Sequence, residues 1–373
     1  MPALYNLIVE LDDATTRAPV PPPGIEIIVS NETDERTLAW IDDSFESTWS
    51  GEARMGATVV AQRDGVPAGF ATFDPQGLRF AWLRGLARER GVGIFGPFGV
   101  VPEERKTGLG VALLRRALAG LRERGYDRAL IPAVGGERLV AYYADAVGAR
   151  VAEQFDRASL LGPPLRTLVM ASGNGSNLQA LLEAASAGRL PLDVAAVVSN
   201  DAGAYALERA RRAGVPSVRV VEWNREAEAR AAYDARLLDT VSAHLPQLVL
   251  LLGWMHLLAE PFVRTFPELL NLHPAFLPLD PQRDDVVAPD GERIAAFRGA
   301  HAVRDALAAS SPWVGATLHL VTPATDRGPV VARKPLRVVP GEDEARLMAR
   351  LHPLEHRVVA AGITRRLFEY RQV

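Results

Sequence analysis

Regular alternation of short apolar strands with longer helical segments dominates the second half of the chain. The strand segments cover residues 168–172, 194–199, 218–221 and 248–252, and the helical segments cover 177–187, 205–213 and 225–244. Strands that are apolar on both faces must be covered on both sides, which predicts an α/β fold with a doubly wound parallel sheet. Ligands of such sheets bind beyond the carboxyl ends of the strands, so we look there for a functional site.

A change of pattern at LLGPP, residues 160–164, divides the chain of 373 residues into two halves. Each half is long enough to bury its own core. The proline-rich stretch RAPVPPPG sets off a short N-terminal segment, which we expect to be a tail or a strand at a domain edge. The predicted order is an N-terminal extension at 1–23, a first domain at 24–158, a linker at 159–166 and a second domain at 167–373.

Composition argues against several classes of function. The chain has no cysteine, which removes disulfides, thiolate catalysis and cysteine-based zinc sites. We see no metal-ligand spacing and expect no metal. A net charge of -3 gives no electrostatic reason to expect nucleic acid or an anionic membrane as a partner. The longest apolar run, 248–255, is too short to span a bilayer, and we find no secretory signal at the N-terminus. We expect a cytoplasmic enzyme acting on small molecules, with its oligomeric state left open.

The first half has a mixed-sheet pattern with a glycine-rich turn. The expected elements are strands at 58–62, 70–73 and 94–101, a hairpin turn at 63–65 and a helix at 111–124 with Leu113, Leu114, Leu118 and Leu121 on one face. The turn before this helix reads Arg105-Lys106-Thr-Gly108-Leu-Gly110. Its glycines let backbone N–H groups approach an anion at the helix N-terminus, so the turn fits a pyrophosphate. An ordinary glycine turn is the alternative.

The run VVPEERKTGLGVALL, followed by Tyr143 and Gly148, resembles the GNAT superfamily of N-acetyltransferases. The resemblance covers about residues 24–157 and implies an acetyltransferase-like mixed sheet that binds acetyl-CoA. Tyr143 falls near the family's frequent general acid, although its spacing to Gly148 is one residue longer than the common pattern. No general base is evident before the loop, so a binding or structural appendage is the alternative. The implied phosphate-loop positions are Arg105, Lys106, Gly108 and Gly110.

The segment Ser172-Gly-Asn-Gly-Ser-Asn177 follows a predicted strand and opens a helix. Small residues allow several backbone amides to converge on one anion, and Ser176 and Asn177 add side-chain donors. The segment therefore fits a phosphate. Because Ser and Asn are also good helix caps, an ordinary helix start is the alternative.

Three further segments bring an amide, an imidazole and carboxylates into the second half. Strand alternation places Asn271 and His273 of NLHP on one face, where they can stabilise a carbonyl oxygen that becomes negative. Asp326 would orient His273, raise its pKa and relay a proton, or it only forms a turn. Glu355 would accept hydrogen bonds from ribose hydroxyls, or it lies on a helix surface.

These segments together are similar to the glycinamide ribonucleotide formyltransferases of purine synthesis, over residues 168–366. The matching stretches include SGNGSNLQALL, LLGWMHLLAEPFV, LLNLHPAFLP, GATLHLVTPATDRGPVV and PLEH. The resemblance implies formyl transfer from 10-formyltetrahydrofolate to the amine of glycinamide ribonucleotide, with Asn271 and imidazolium His273 stabilising the oxyanion. The implied positions are Asn271, His273 and Asp326 for catalysis, Gly175, Ser176, Asn177 and Glu355 for the substrate, Met255, Leu257, Leu258 and Arg230 for folate, and His319 and His301 in support.

A polar insertion at 279–297 departs from the family pattern, and we expect it to lie beside the site as a lid or to reshape it. His256 also stands where an arginine is common. One alternative is a 10-formyltetrahydrofolate deformylase, since related hydrolases share the trio and the phrase F-x-G-A, here residues 297–300. Another is a formyltransferase acting on a different amine. The phosphate loop and Glu355 favour the ribonucleotide, because a hydrolase has no need to hold a ribose phosphate.

Overall fold

The structure, a computed structural model, describes residues 3–370 of the 373. They form two compact units. Unit 1 contains the described residues up to Gly162 together with those from Leu367 onward, and unit 2 is Pro163–Arg366. Within the described part of the chain, no helix is both long and apolar enough to cross a membrane. The predicted linker, 159–166, contains the end of one helix and the start of one strand.

Unit 1 is built on seven strands. These are β1 (Leu4–Glu10), β2 (Ile25–Ser30), β3 (Ala57–Arg63), β4 (Val66–Phe73), β5 (Val92–Val100), β6 (Arg128–Gly135) and β7 (Arg150–Phe155). The α-helices are α1 (Asp13–Thr16), α2 (Glu35–Ser44), α3 (Ser50–Ala53), α4 (Leu109–Glu123), α5 (Glu137–Val147) and α6 (Arg157–Leu161), with short 3₁₀ turns at Gly85–Arg88 and Pro102–Glu104.

The N-terminal strand β1 lies inside the sheet of unit 1, whose order is β2-β3-β4-β5-β6-β1-β7. It pairs antiparallel with β6 on one side and β7 on the other. The expectation of a tail or an edge strand for residues 1–23 is therefore wrong for this segment. The physical reason is its pattern: Leu7, Ile8 and Val9 are all buried, and a strand that is apolar on both faces is stable only when both are covered.

The turn and the helix predicted in unit 1 are confirmed. β3 and β4 form a hairpin in which Arg63 pairs with Val66, and Asp64 and Gly65 both have positive φ, 51° and 75°. This is the geometry that a two-residue hairpin turn requires. Helix α4 packs on the sheet through the expected leucines, all of which are fully buried: Leu113, Leu114, Leu118 and Leu121.

Strands β5 and β6 diverge after a short stretch of parallel pairing. Their ladder runs only from Val92–Arg128 to Ile94–Leu130. Beyond Ile94, β5 continues beside β4, and β6 continues beside β1. Two neighbouring strands that separate in this way leave a gap between them, which forms the cavity described below.

Unit 2 contains the remaining strands and helices, except that the end of α12, from Leu367, belongs to unit 1. The strands are β8 (Leu165–Met170), β9 (Leu192–Ser199), β10 (Ser217–Val220), β11 (Leu248–Leu251), β12 (Leu269–His273), β13 (Asp285–Val287), β14 (Arg293–Ala295), β15 (Trp313–Leu320) and β16 (Val330–Arg337). The helices are α7 (Ser176–Ser186), α8 (Tyr205–Arg212), α9 (Arg230–Ser242), α10 (Glu260–Thr265), α11 (Ala302–Ala308) and α12 (Glu344–Tyr370).

The main sheet of unit 2 has the order β10-β9-β8-β11-β12-β15-β16. The pairs from β10 to β12 are parallel, as predicted. The pairs of β15 with β12 and with β16 are antiparallel, so the sheet is mixed rather than wholly parallel. Helix α9 is shorter than the expected 225–244, because extended backbone at Ala229 separates the single turn that Asn224 caps from the helix.

Candidate active site

Two antiparallel strands place an amide and two imidazoles on one face of the sheet. Asn271 and His273 lie at the end of β12, and Asn271 pairs directly with His319 on β15. Because side chains alternate along a strand, Asn271, His273 and His319 project to the same side. Asp326 faces them from the turn between β15 and β16, where its φ of 51° is a conformation that Asp tolerates.

Asp326 is the centre of this cluster. Its Oδ1 lies 3.2 Å from Asn271 Nδ2 and 3.4 Å from His319 Nε2. Its Oδ2 accepts a hydrogen bond from Gly299 N at 2.8 Å and lies 3.5 Å from His273 Nδ1. Burial alone would raise the pKa of Asp326, but the surrounding donors outweigh it and hold that pKa well below its ordinary value. The carboxylate is therefore ionised at neutral pH.

His273 has an acceptor facing each ring nitrogen. Nδ1 faces Asp326, and Nε2 lies 2.7 Å from the carbonyl oxygen of Phe297. A neutral imidazole carries one N–H and can donate to only one of these acceptors, whereas an imidazolium can donate to both. The Phe297 carbonyl could not be predicted from the sequence, because a backbone oxygen leaves no signal in side-chain identity.

Burial lowers the pKa of His273, and this outweighs Asp326 and the Phe297 carbonyl, which raise it. Asp326 raises the pKa of His273, as predicted, but burial lowers that pKa by more. The physical reason is that the ring is only 4% exposed, and desolvation disfavours the charged form. The resting ring is neutral, but it already has the two contacts that would stabilise it once protonated.

The glycine-rich turn after β8 leads into helix α7, with Gly175 as the residue before its first turn. Gly175 has a φ of 76°, and a Cβ there would lie 2.7 Å from the Cβ of Ala206. Arg209 fixes the turn by donating to the carbonyl and side-chain oxygens of Asn174. The turn therefore presents the free N–H groups at the start of an eleven-residue helix.

Asn177 makes a different contact from the one expected. Its Nδ2 donates to Glu355 Oε2 at 2.9 Å, so this side chain holds Glu355 rather than reaching toward the phosphate loop. His352, one turn earlier on α12, contacts the same oxygen at 3.0 Å through Nδ1. Glu355 is buried, and the donors on Oε2 leave its Oε1 for another partner. Neither Asn177 as a link to Glu355 nor His352 was predicted.

The residues predicted for folate lie after β11. Met255 and Leu257 are 55% and 67% exposed, while Leu258 packs against the core. Arg230 donates to the carbonyl of Leu257 and to Asp234, which fixes the start of α9 beside this segment. Two exposed large apolar side chains in one short segment suit a flat apolar ligand.

His256, which stands between these residues, is held by aromatic neighbours. Its Nδ1 lies 3.1 Å from the hydroxyl of Tyr233, and its ring meets Trp223 and Trp254 edge to face. Burial lowers its pKa, and the charges of Arg230 and Arg225 lower it further. His256 is therefore a neutral packing residue, where an arginine would bring charge.

The insertion at 279–297 forms the hairpin β13–β14, which is tied to the turn that carries Asp326. The carboxylate of Asp284 pairs with both Arg298 and Arg327. Arg298 also donates to the backbone carbonyl of Asp326, at 3.2 Å. The insertion ends at Phe297, whose carbonyl meets His273. It therefore lies beside the cluster, as expected, and shapes one wall of it.

His301 does not join the cluster around Asp326. It lies at the start of α11 with its side chain exposed, and no contact with Asn271 or His273 is found among the described residues. His319 does join, with Nε2 toward Asp326 and Nδ1 at 2.8 Å from the carbonyl of Leu320. Within the described residues, no group of three or more His, Asp or Glu side chains could hold a metal ion.

A separate cavity of about 920 Å³ lies in unit 1, between the diverging strands β5 and β6. The turn before α4 lines it with all four predicted loop residues: Arg105, Lys106, Gly108 and Gly110. Gly108 has a φ of 92° and precedes the first turn of α4. Tyr142 and Tyr143 also line the cavity, and burial raises the pKa of both phenols.

Comparison with known proteins confirms both resemblances. Residues 165–363 match the model of the formyl transferase family, and residues 25–149 match that of the acetyltransferase (GNAT) family. The chain is 38% identical over 203 residues to a phosphoribosylglycinamide formyltransferase of Mycobacterium tuberculosis, which covers 54% of this chain and 84% of that protein.

Two further relatives match the same half. A trifunctional purine biosynthetic protein adenosine-3 of Drosophila melanogaster is 36% identical over 194 residues, which is 51% of this chain but only 13% of that longer protein. The crystal structure of glycinamide ribonucleotide transformylase 1 from Symbiobacterium toebii is 36% identical, with a TM-score of 0.47, and the match covers 54% of this chain and 86% of that one. Because the family model alone covers more than half of the chain, the protein belongs to the formyl transferase family.

Proposed function

We propose that unit 2 transfers the formyl group of 10-formyltetrahydrofolate to the amine of glycinamide ribonucleotide. The observation that carries the proposal is the cluster of Asn271, His273 and His319 around the buried carboxylate of Asp326. Such a group supplies a donor for an oxyanion, a proton acceptor and a fixed negative charge, which acyl transfer to an amine requires. The name of the relative from Mycobacterium tuberculosis, a phosphoribosylglycinamide formyltransferase, supports formyl transfer to the same acceptor.

Asn271 is the proposed donor to the formyl oxygen as it becomes negative. Its Nδ2 makes two long contacts, 3.2 Å to Asp326 and 3.3 Å to His319. Bonds of this length are weaker than the usual ones at about 2.9–3.0 Å. The amide can therefore give up one of them for the shorter, charge-assisted bond to an oxyanion.

His273 is the proposed acceptor of the proton that the attacking amine loses. The free ring is neutral because it is buried, so it is ready to accept. Nδ1 faces Asp326 and keeps its proton, so Nε2 would turn from the Phe297 carbonyl to the substrates and take the amine proton. Nε2 would then give this proton to the folate nitrogen as the C–N bond to the carrier breaks. This assignment replaces the imidazolium oxyanion donor that the family resemblance implies.

The phosphate of the substrate would bind the N–H groups at Gly175, Ser176 and Asn177. Glu355, held by Asn177 and His352, would offer Oε1 to ribose hydroxyls. The folate carrier would lie along Met255, Leu257 and Leu258, with Arg230 nearby. A ribose phosphate site beside the cluster favours transfer to a nucleotide over hydrolysis by water. Holding both substrates in place supplies much of the rate.

The test is an assay of tetrahydrofolate release from 10-formyltetrahydrofolate, with and without glycinamide ribonucleotide. Release that requires the nucleotide, and that is lost in Asn271→Ala and His273→Ala but kept in the control His244→Ala, supports the transferase. His244 lies just after the C-terminal end of α9, where it contacts Ser217. Release with formate and without nucleotide would show a deformylase, and no release in either case would point to another amine.

We also propose that unit 1 binds acetyl-CoA, because a cavity and a cationic glycine turn at a helix N-terminus occur together. The backbone amides of Gly108 and Gly110, with Lys106 and Arg105, would hold the pyrophosphate. Calorimetric titration of the whole protein with acetyl-CoA tests this. Binding should weaken in Lys106→Ala and persist in Arg90→Ala, which removes an exposed cation outside the cavity lining. Equal affinity in the two variants would contradict the proposal.

A further inference from the structure

Three consecutive residues, beginning with the last residue of the insertion, each contact the cluster around Asp326. The carbonyl oxygen of Phe297 lies 2.7 Å from His273 Nε2. Nε of Arg298 donates to the backbone carbonyl of Asp326 at 3.2 Å, and the N–H of Gly299 donates to the carboxylate of Asp326 at 2.8 Å. Two of these contacts come from backbone groups, and the third depends on the side chain of Arg298.

The guanidinium group of Arg298 is held at each of its three nitrogens, and its side chain is only 12% exposed. Besides the contact of Nε with Asp326, Nη1 donates to the carboxylate of Asp284 at 3.1 Å. Nη2 donates to the carbonyl of Arg283 at 2.7 Å. A planar fork with three fixed acceptors keeps one orientation, so the positive charge of Arg298 has a defined place beside Asp326.

The carboxylate of Asp284 does not neutralise Arg298 fully. Its Oδ1 accepts from Arg298 and from Arg327 as well, and its side chain is 78% exposed. One carboxylate therefore faces two guanidinium groups, and the surrounding water weakens its attraction for both. These three groups together carry one positive charge in excess, next to the turn that holds Asp326.

Within residues 3–370, three titratable side chains face His273, each from a different element. Asp326 faces it from the turn after β15, His319 from β15 itself and Arg298 from the end of the insertion. Burial lowers the pKa of His273, Asp326 raises it, and His319 and Arg298 lower it further. Of the two groups that act together with burial, Arg298 is the one whose charge is permanent.

We propose that Arg298 is a positioning residue for formyl transfer, with two effects on the cluster. It fixes the turn that carries Asp326 through the backbone carbonyl, and its positive charge keeps His273 unprotonated beside the ionised carboxylate. Neither effect requires Arg298 to touch a substrate. The inference rests on the proposed function of unit 2 for the reaction, but not for the protonation of His273, which is measured without substrates.

A proton acceptor next to a carboxylate needs such a cation. The negative charge of Asp326, 3.5 Å from His273 Nδ1, favours the imidazolium, which has no room for a further proton. A cation beside the pair favours the ionised carboxylate and disfavours the imidazolium, so both groups stay in the protonation states from which the reaction starts. The residue that the phrase F-x-G-A leaves open, Arg298, is therefore the one that brings charge to the cluster.

The first test is NMR titration of the imidazole protons in two variants. Arg298→Met removes the charge and keeps most of the length, whereas Arg298→Lys keeps the charge and loses the planar fork. The His273 midpoint should be about half a pH unit higher in Arg298→Met than in the parent protein, because the opposing charge is gone. Arg298→Lys should titrate like the parent. So should the matched control Arg293→Met, an arginine of β14 that is 52% exposed and pairs with Asp285.

Formyl-transfer kinetics separates the charge of Arg298 from its hydrogen bonds. The acid limb of kcat/KM should move to higher pH in Arg298→Met, by the same amount as the His273 midpoint, and stay in place in Arg298→Lys. Above the limb, kcat should fall about tenfold in Arg298→Met, the loss expected for one hydrogen bond from a charged group, and by less in Arg298→Lys. KM for the nucleotide should stay within about twofold, because Arg298 does not touch the substrate.

Three results would overturn the inference: a His273 midpoint in Arg298→Met equal to that in Arg293→Met, a midpoint that moves as far in Arg298→Lys as in Arg298→Met, or an unchanged kcat in Arg298→Met. Thermal unfolding checks that each variant folds, and Arg298→Gln replaces Arg298→Met if the methionine variant does not. If the parent protein transfers no formyl group, the proposed function fails and the titration alone decides whether Arg298 keeps His273 unprotonated. If it transfers formyl groups and the midpoints coincide, the function stands and the role of Arg298 falls.

Discussion

The candidate sites of the two units are built in opposite ways. In unit 2 the polar side chains contact one another, so that the carboxylate of Asp326 alone has four neighbouring donors or imidazoles. In unit 1 the site is a space of about 920 Å³ between diverging strands, with charge at a glycine turn and aromatic rings elsewhere in its lining. A site whose side chains contact one another depends on each of those side chains, whereas a cavity depends on the residues that form its walls.

The largest effect is expected from Asp326→Asn in unit 2. The substitution keeps the shape but removes the charge that would stabilise protonated His273. It also replaces one carboxylate oxygen by an NH2 group, so Gly299 N–H and Asn271 Nδ2 can no longer each donate to a side-chain oxygen of their own. Formyl transfer should fall by about a thousandfold, within the range for loss of a positioned proton-transfer or oxyanion group. Steady-state kinetics measures this. Acetyl-CoA affinity of unit 1, measured on the same sample, should not change.

A loss below tenfold would show that the cluster is not the reacting centre. A parallel loss of acetyl-CoA binding would show instead that the variant is misfolded. Each variant is therefore tested for formyl transfer and for acetyl-CoA binding, and the measurement on one unit is the control for the other.

The two helix-capping glycines allow a more direct comparison. Gly175 and Gly108 both precede a helix with positive φ, at 76° and 92°. A Cβ at Gly175 would collide with Ala206, whereas nothing lies within 4 Å of a Cβ at Gly108. The crowded turn belongs to unit 2 and the open one to the cavity of unit 1.

We therefore expect Gly175→Ala to lower the free energy of unfolding by more than 2 kcal/mol, roughly the sum of backbone strain and a clash, and Gly108→Ala by about 1 kcal/mol from strain alone. Gly175→Ala should also raise the KM for the nucleotide. Urea unfolding of both variants gives the ranking. Equal losses of unfolding free energy would mean that the turn at Gly175 can shift to make room for a Cβ. The closer packing at Gly175 than at Gly108 would then have no effect on stability.

More of the candidate site could be predicted from the sequence in unit 2 than in unit 1. The pairing of Asn271 and His273 on one strand face follows from alternation, and the position of the phosphate turn follows from its glycines. Side-chain motifs thus predicted the residues that unit 2 brings together. They did not predict the Phe297 carbonyl, because a backbone group has no residue type, or the antiparallel β15, because strand direction depends on distant pairing.

In unit 1 the cationic turn was visible and the aromatic part of the cavity lining was not. The pair Phe45 and Trp49 lies about thirty residues before the pair Phe80 and Trp82, and the two pairs line one cavity only through the fold. The interior place of β1 was missed for a related reason. Its apolar pattern was short and preceded a proline-rich stretch, and its partners β6 and β7 come more than a hundred residues later.

The protonation of His273 offers a third test of the candidate site in unit 2. Burial lowers its pKa below the usual value of about 6.5. A folded state that resists protonation loses stability relative to the unfolded chain as pH falls through this range. In contrast, Glu355 raises the pKa of His352, so this ring should take its proton at higher pH.

NMR titration of the imidazole protons should therefore give a midpoint below 6.5 for His273 and above it for His352. The difference in free energy of unfolding, parent protein minus His273→Gln, should be constant above about pH 6.5 and should decrease as the pH falls below that value. Midpoints in the opposite order would show that Asp326 and the Phe297 carbonyl outweigh burial, and that the resting ring is charged.

The smallest effect is expected at the insertion of unit 2. Asp284 pairs with Arg298 and Arg327, yet its own side chain is 78% exposed. Exposed pairs of this kind contribute little to stability. Asp284→Ala should therefore leave the melting temperature nearly unchanged and reduce kcat a few-fold, since Arg298 would hold the Asp326 turn less firmly. Asp280→Ala, at the start of the same insertion, is the control.

If Asp284→Ala lowers kcat by a hundredfold, the insertion does more than form one wall of the site. The candidate site of unit 2 then includes the insertion. If it has no effect on kcat, the backbone contacts of Phe297 and Gly299 are enough to fix the cluster. The second result would place the boundary of the site at the end of the insertion. In that case the reacting groups are positioned by β12, β15 and the Asp326 turn, and the hairpin only covers them.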